Sequence, residues 1–352
     1  MKRLAAYVLL TVLVLTGCGG PVDPDTAQES IQVIAMDTAM LITTYGERSP
    51  AAAYACEDAI RDLEAKLSRT DPDSEVSRLN AAGGEAVEVG EDLGVLLDAA
   101  GYYHATTDGA FNIAIAPLAS AWGFAEDRFR VPSQEEISDL LKLVNGFALQ
   151  ETPEGVALGP GQAIDLGAIA KGYAADKIVE IFQEYEVPRG LAQLGGNVLA
   201  YGDRPDGTPW RVGVQDPARV EEQNAFAGVL ELTDSFAVTS GGYQRYFEQD
   251  GKTYHHILDP ATGYPADSGL SSVTVVADCG EDAGLSGMMC DALSTALFVM
   301  GEERALDFRR NWRGLPFQLV LITEDGRVVV TQGLADRFTL EEASGYQYET
   351  VS

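Results

Sequence analysis

Residues 164–176, reading IDLGAIAKGYAAD, restrict this chain more than any other stretch. Asp165 ends an apolar run, the small residues Gly167 and Ala168 follow, and Lys171 lies one turn into a new pattern. From Ile169 onward, apolar side chains recur at Tyr173, Ala174, Ile178, Ile181 and Phe182, which is helical spacing. The segment therefore reads as a strand end or tight turn opening into an amphipathic helix of about four to five turns. Gly167 and Ala168 let another group approach the backbone closely. The helix N-terminus carries partial positive charge and Lys171 adds a full one, while Asp165 and the carbonyls before the helix offer oxygen to a hard cation. Two readings stand side by side: an anion-plus-metal site, and a capped core helix with a solvated lysine.

The rest of the chain mixes strands and helices without regular alternation. Residues 31–45 read as a strand pair or one long strand with a bulge, and residues 51–67 as a helix. A polar loop over 68–80 closes into a short helix that Ser74 could cap, and another helix over 91–106 ends at an Asp108-Gly109 turn. After residues 117–124 (PLASAWGF), a surface helix is expected over 133–143. Residues 191–201 carry a Gly195-Gly196 break inside a strand pattern, which suggests a bulge or a close backbone approach. Residues 210–214, 228–232, 236–239 and 272–277 are strand-like, and residues 239–242 and 259–263 read as turns. An apolar helix over 289–300 and a terminal hairpin pairing 317–322 with 328–330 complete the pattern. This order favours the α+β class, as a single mixed α/β domain over residues 31–352. No GxGxxG or P-loop pattern is present.

The N-terminus reads as an address. Lys2 and Arg3 precede an apolar run from Leu4 to Leu15, too short for a comfortable membrane span of ~20 residues. The run ends in Leu15-Thr16-Gly17-Cys18, which resembles the bacterial lipobox. Residues 1–17 are thus expected to be a signal peptide, and residues 18–30 a lipidated Cys18 and tether. Two acyl chains on Cys18 would meet the two-signal requirement for stable anchoring, with the domain facing the periplasm or outer surface. A net charge of −30 argues against nucleic acid as a partner and requires a cation or local basic group at any phosphate site. Cys56, Cys279 and Cys290 permit one disulfide at most, and Cys279 and Cys290 bracket a Gly-rich acidic loop where they could pair.

Asp291 and Thr295 lie four apart on the expected helix, so their oxygens share a face that suits one edge of a Mg²⁺ site or a plain polar helix face. His255 and His256 precede a strand-to-turn junction, where one could act as a general base or simply be packed. His104 reads as a satisfied helix residue.

Six stretches in order, TDGAFNIAIAPLASAWGF, IDLGAIAKGYAAD, QLGGNVLAYG, VTSGGYQRYF, HHILDPATGYP and DALSTALFVMG, resemble the ApbE family of flavin transferases. The resemblance implies an enzyme that binds FAD and Mg²⁺ and transfers FMN to a Thr or Ser hydroxyl of a partner flavoprotein, releasing AMP. Hydrolysis of FAD to FMN and AMP, or FAD binding without turnover, are the competing readings. It further implies a metal held by the Ala168 carbonyl, Asp291 and Thr295. FAD would contact Met36, Ala110, Phe111, Asn112, Asp165, Lys171, His256 and Ile257, and His256 would activate the acceptor hydroxyl, with Lys171 neutralising charge on the pyrophosphate. The chain departs from the family pattern at Asp37, at Asn112 and at Thr70, where many members have glycine, aspartate and tyrosine.

Overall fold

The structure, a computed structural model, describes residues 27–124, 128–145, 149–279 and 285–352. The expected signal peptide and Cys18 lie outside the described residues. The first hairpin joins β1 (Gln28–Ala35) to β2 (Thr38–Tyr45) through Met36 and Asp37, with φ of 49° and 58°. Positive φ at both central residues gives the turn the twist that an antiparallel hairpin needs. The Met36 N–H donates to the Glu64 carboxylate at 2.7 Å, which ties the hairpin tip to the helix behind it. Of the two readings of residues 31–45, the strand pair is the one observed. Residues 28–30 pair with 43–45, so the ordered domain starts inside the expected tether.

Five helices follow: α1 (Ser49–Leu67), α2 (Glu75–Ala81), α3 (Glu91–Thr106), α4 (Ala116–Trp122) and α5 (Gln134–Val144). Ser74 and Ser133 cap α2 and α5 by accepting from backbone N–H groups three residues on. A short hairpin, β3 (Gln150–Thr152) with β4 (Gly155–Ala157), leads through a turn, with no strand, to α6 (Ala170–Glu184). Next come β5 (Arg189–Leu194), β6 (Asn197–Tyr201), β7 (Trp210–Gln215), β8 (Phe226–Leu232) and β9 (Ser235–Gly241). The hairpin of β10 (Tyr246–Gln249) and β11 (Lys252–His255) turns through Asp250 and Gly251, both at positive φ. The chain ends with β12 (Leu270–Asp278), α7 (Ser286–Met300), α8 (Glu302–Asn311), β13 (Gln318–Thr323), β14 (Arg327–Thr331), β15 (Phe338–Leu340) and β16 (Gln347–Val351).

A nine-stranded sheet in the order β1-β2-β5-β6-β9-β12-β13-β14-β16 is antiparallel except for its last pair. Side chains alternate across it, as the pleat requires. Val273, Val275, Leu319, Leu321 and Val329 face the core built with α1, α6 and α7, whereas Val276, Val320, Ile322, Val328 and Val330 face a second core under the small sheet β15-β8-β7. A third cluster joins Leu118 and Trp122 of α4 to Ile137 and Val144 of α5.

The structure corrects several expectations. Gly195-Gly196 is the turn of the β5–β6 hairpin and not a bulge; the close approach holds, because a Cβ on Gly195 would stand 2.3 Å from Thr38 Oγ1. Residues 239–241 complete β9, paired with β12, where a turn was expected. The 318–331 hairpin is not terminal, since β15 and β16 follow it. Cys56, Cys279 and Cys290 are free and buried, so Cys279 and Cys290 do not pair.

Helices α6 and α7 cross backbone to backbone at Gly172 and Gly287, where a Cβ on either would meet the other's carbonyl at 2.3 or 2.6 Å. Neither helix has a side-chain cap of its own. Each borrows one from the other. Asp176 of α6 accepts from the Gly287 and Met288 N–H groups at 2.7 and 2.8 Å, and Asp291 of α7 accepts from Gly172 N–H at 2.8 Å. These donors are among those that an isolated helix leaves unsatisfied.

Candidate functional site

That reciprocal capping sets Asp291 beside the first turn of α6, at the floor of a cleft of about 810 Å³. The expected residues Met36, Ala110, Phe111, Asn112, Asp165, Ala168, Lys171, His256, Ile257, Asp291 and Thr295 all line this one cleft. They come from the β1–β2 tip, the turn after α3, the turn before α6 and the first turn of α6, the chain after β11, and α7.

Asp291 is 3% exposed, and Gly172 N–H supplies the hydrogen bond to its side chain; no ion pair to it is present among the described residues. A buried carboxylate with one N–H and no cation is undercompensated. Thr295 lies one turn along α7, its hydroxyl 3.1 Å from Ser240 Oγ, and Ala168 lines the same cleft from the turn before α6. A carboxylate, a hydroxyl and a carbonyl form a hard oxygen donor set that fits Mg²⁺. Among the described residues no group of three His, Cys, Asp or Glu is gathered as a metal cluster, so a cation here would need oxygens from its substrate as well.

Lys171 lines the cleft, but its Nζ donates to Gly167 O at 3.0 Å, folded back over the turn that precedes its own helix. Asp165 accepts from Gly167 N–H at 2.8 Å and is ion-paired to Arg69 at 2.8 Å. Asn112 caps a short helical turn by accepting from Ala114 N–H and donates through Nδ2 to Val144 O. The departure from aspartate thus keeps the cap and adds a donor bond that a carboxylate could not make.

His256 has a clear chemical state. Its Nδ1 lies 3.1 Å from Arg245 O, and a carbonyl only accepts, so Nδ1 carries the proton and Nε2 keeps a lone pair. Burial, with the neighbouring His255 second, pushes its pKa down from 6.5 to about 4. Protein surrounds the ring on most sides while part of it remains open to the cleft. His255 projects the other way, with Nε2 3.1 Å from Ala266 O and its ring against Phe298. His104 is satisfied as expected, through Nδ1 on Phe111 O at 3.0 Å.

Sequence reasoning missed Arg69, Arg245, Asn197 and Tyr243 in the lining. Asn197 is 2% exposed, and its Nδ2 has no partner among the described residues. Tyr243 and Arg245 lie within VTSGGYQRYF and Asn197 within QLGGNVLAYG, so those stretches were a usable signal; Arg69, in the polar loop after α1, carried none.

The ApbE family model matches residues 36–317. An FAD:protein FMN transferase of Treponema pallidum is 33% identical to this chain, the match covering 97% of this chain and 98% of the relative. Another of that name, from Klebsiella pneumoniae, is 33% identical over 92% and 98% of the two chains. The solved structure of the ApbE protein of Thermotoga maritima superposes with a TM-score of 0.80 at 32% identity, covering 88% of this chain and 99% of that one. The apo flavinyl transferase ApbE of Pseudomonas stutzeri gives a TM-score of 0.75 at 29% identity over 89% and 97%. With the family model spanning most of the chain and relatives matching it nearly end to end, the chain belongs to the ApbE family.

Proposed function

We propose that this protein transfers FMN from FAD to a Thr or Ser hydroxyl of a partner flavoprotein, releasing AMP, and that it does so with Mg²⁺. The observation that carries the reading is Asp291, a buried carboxylate with no ion pair among the described residues, lining a cleft large enough for a dinucleotide. Ala168, Asp291 and Thr295 are the residues that would hold the metal. Bound there, Mg²⁺ would polarise the pyrophosphate and offset the charge that develops as AMP leaves.

The chain's own groups account for the remaining work. Lys171 stands at the same helix opening and can swing from Gly167 O to a phosphate oxygen, exchanging a neutral partner for an anionic one. His256 is neutral at pH 7 and presents Nε2 to take the hydroxyl proton of the acceptor. Phe111 and Ile257, both buried, offer apolar wall to a flavin or adenine ring, and the Met36 and Asn112 turns close the cleft at its sides. Lipidation at Cys18 would hold the domain at the membrane, facing the periplasm or outer surface; the Leu15–Cys18 sequence supports that placement.

The test is incubation with FAD, Mg²⁺ and a candidate flavoprotein from the same cell. In-gel flavin fluorescence and an FMN mass gain on the acceptor are expected. FMN and AMP without a labelled acceptor would point to hydrolysis instead. Asp291→Asn keeps the Gly172 hydrogen bond but removes the charge. It should lower turnover by at least ~10²-fold and abolish the Mg²⁺ dependence of FAD binding, and unchanged values would remove the metal assignment.

A further inference from the structure

Consecutive residues near the end of a strand point to opposite faces, so His255 and His256 serve different spaces. His256 opens on the main cleft. His255 lines a second cavity of about 520 Å³ behind the β10–β11 hairpin. The two spaces share Tyr243, whose ring is seated on Gly241, where a Cβ would come within 2.4 Å of it.

The walls of this second cavity have a definite chemistry. Tyr243, Tyr246, Tyr254 and Tyr264 line it, and aromatic faces carry negative charge density that attracts cations. The ammonium of Lys252 sits 5.3 Å from the Tyr254 ring centroid and Phe247 stacks on that ring, so Tyr254 is satisfied within the chain and Tyr243, Tyr246 and Tyr264 are the rings left to an incoming cation. His255 Nε2 is directed at Ala266 O and therefore carries the proton, which leaves Nδ1 an acceptor; it is buried and has no partner. Burial lowers the pKa of His255 and keeps it neutral. Exposed carboxylates of Glu248, Asp267 and Glu324 stand at the rim against the single lysine.

We propose that this second cavity is a docking pocket for a cationic side chain, arginine or lysine, of the acceptor protein, held one tyrosine away from the histidine that meets the acceptor hydroxyl. This rests on the transferase reading above. It adds to that reading how a strongly acidic enzyme selects its protein substrate: by a positive residue placed near the target hydroxyl in space. Charge complementarity favours such an occupant over a neutral or acidic segment.

The full chain would be titrated with N-acetyl-arginine amide and with its neutral isostere, N-acetyl-citrulline amide, followed by saturation-transfer NMR in the presence of saturating FAD. The arginine compound should bind roughly tenfold more tightly than the citrulline compound. Tyr246→Ser with Glu248→Gln, both at exposed hairpin positions, should remove most of that difference while FAD affinity stays unchanged. Equal binding of the two compounds, retention of the preference in the double variant, or displacement of the cation by FAD would each overturn the pocket. FMN transfer to a candidate flavoprotein by the unaltered chain, read in parallel as in-gel flavin fluorescence of the acceptor, tests the transferase reading separately. A chain that turns FAD over but ignores the cation sinks the pocket alone.

Discussion

Gly172→Ala is the substitution that most directly probes how the fold holds its site. A Cβ at this position would stand 2.3 Å from Gly287 O and 2.7 Å from Asp291 Cβ, against an ordinary contact of 3.4 Å or more. Both neighbours are fixed in α7, so the helices must part by about 1 Å. Two effects compete. Alanine favours a helix interior by about 1 kcal/mol over glycine, whereas overpacking of this kind costs about 1–3 kcal/mol. The obstacle is backbone, which cannot rotate away, so the upper end applies and the net loss is about 2 kcal/mol, or roughly 3 °C in Tm for a domain of this length. The same displacement carries Asp291 away from Gly172 N–H and from Ala168, and a 1 Å misplacement at a reacting centre can cost about 10²-fold in rate. Gly94→Ala in α3 is the control, because nothing lies within 4 Å of a Cβ there and it should gain from propensity alone. Thermal melts and FAD turnover on both variants decide the matter. If Gly172→Ala melts as high as Gly94→Ala and turns over like the unaltered chain, the crossing does not position Asp291.

For His256, the depressed pKa places the acid limb of kcat/KM well below 6.5, toward 4, and a limb near 6.5 would contradict the buried neutral ring. The sign for stability follows: the unfolded state takes up the proton first, so the stability from the neutral ring is whole above about pH 6.5 and is lost as pH falls toward 4. Asp37→Gly should raise stability by up to about 1 kcal/mol, since φ is 58° there, and a melt showing a loss would mean that the carboxylate has a hidden partner. Thr70→Tyr places a ring at the cleft wall and should tighten FAD binding by about 1 kcal/mol, read by fluorescence titration; an unchanged Kd would show that the ring cannot reach the ligand.

Local pattern carried the longer helices and the 318–331 hairpin, but not α4, α8 or the β3–β4 and β10–β11 hairpins. Residues 91–106 became α3 at those bounds, and the spacing from Ile169 to Phe182 became α6, because burying one face is dictated within the segment itself. What long-range pairing decides stayed hidden. Strand β16 exists because Gln347–Val351 align beside Arg327–Thr331, although its side chains are largely exposed and show no period. Thr239–Gly241 have turn-like composition, yet β12 holds them extended. The first turn of α6 could not be told from a capped core helix by its own residues, since its cap, Asp291, lies 119 positions away. Lys171 was legible as a cleft residue, but its rest position on Gly167 O was not. Arg69 and Asp165 meet only through the fold.

The two-residue turn at Asp250-Gly251 carries more than its sequence suggests. It sets which residue of β11 faces Tyr246, and through it which imidazole enters each cavity. A one-residue slip in the register of β11 would turn the His255 ring into the main cleft and send the His256 ring toward the tyrosines. A chain with every side chain intact but that register moved would then present the wrong imidazole to the acceptor hydroxyl.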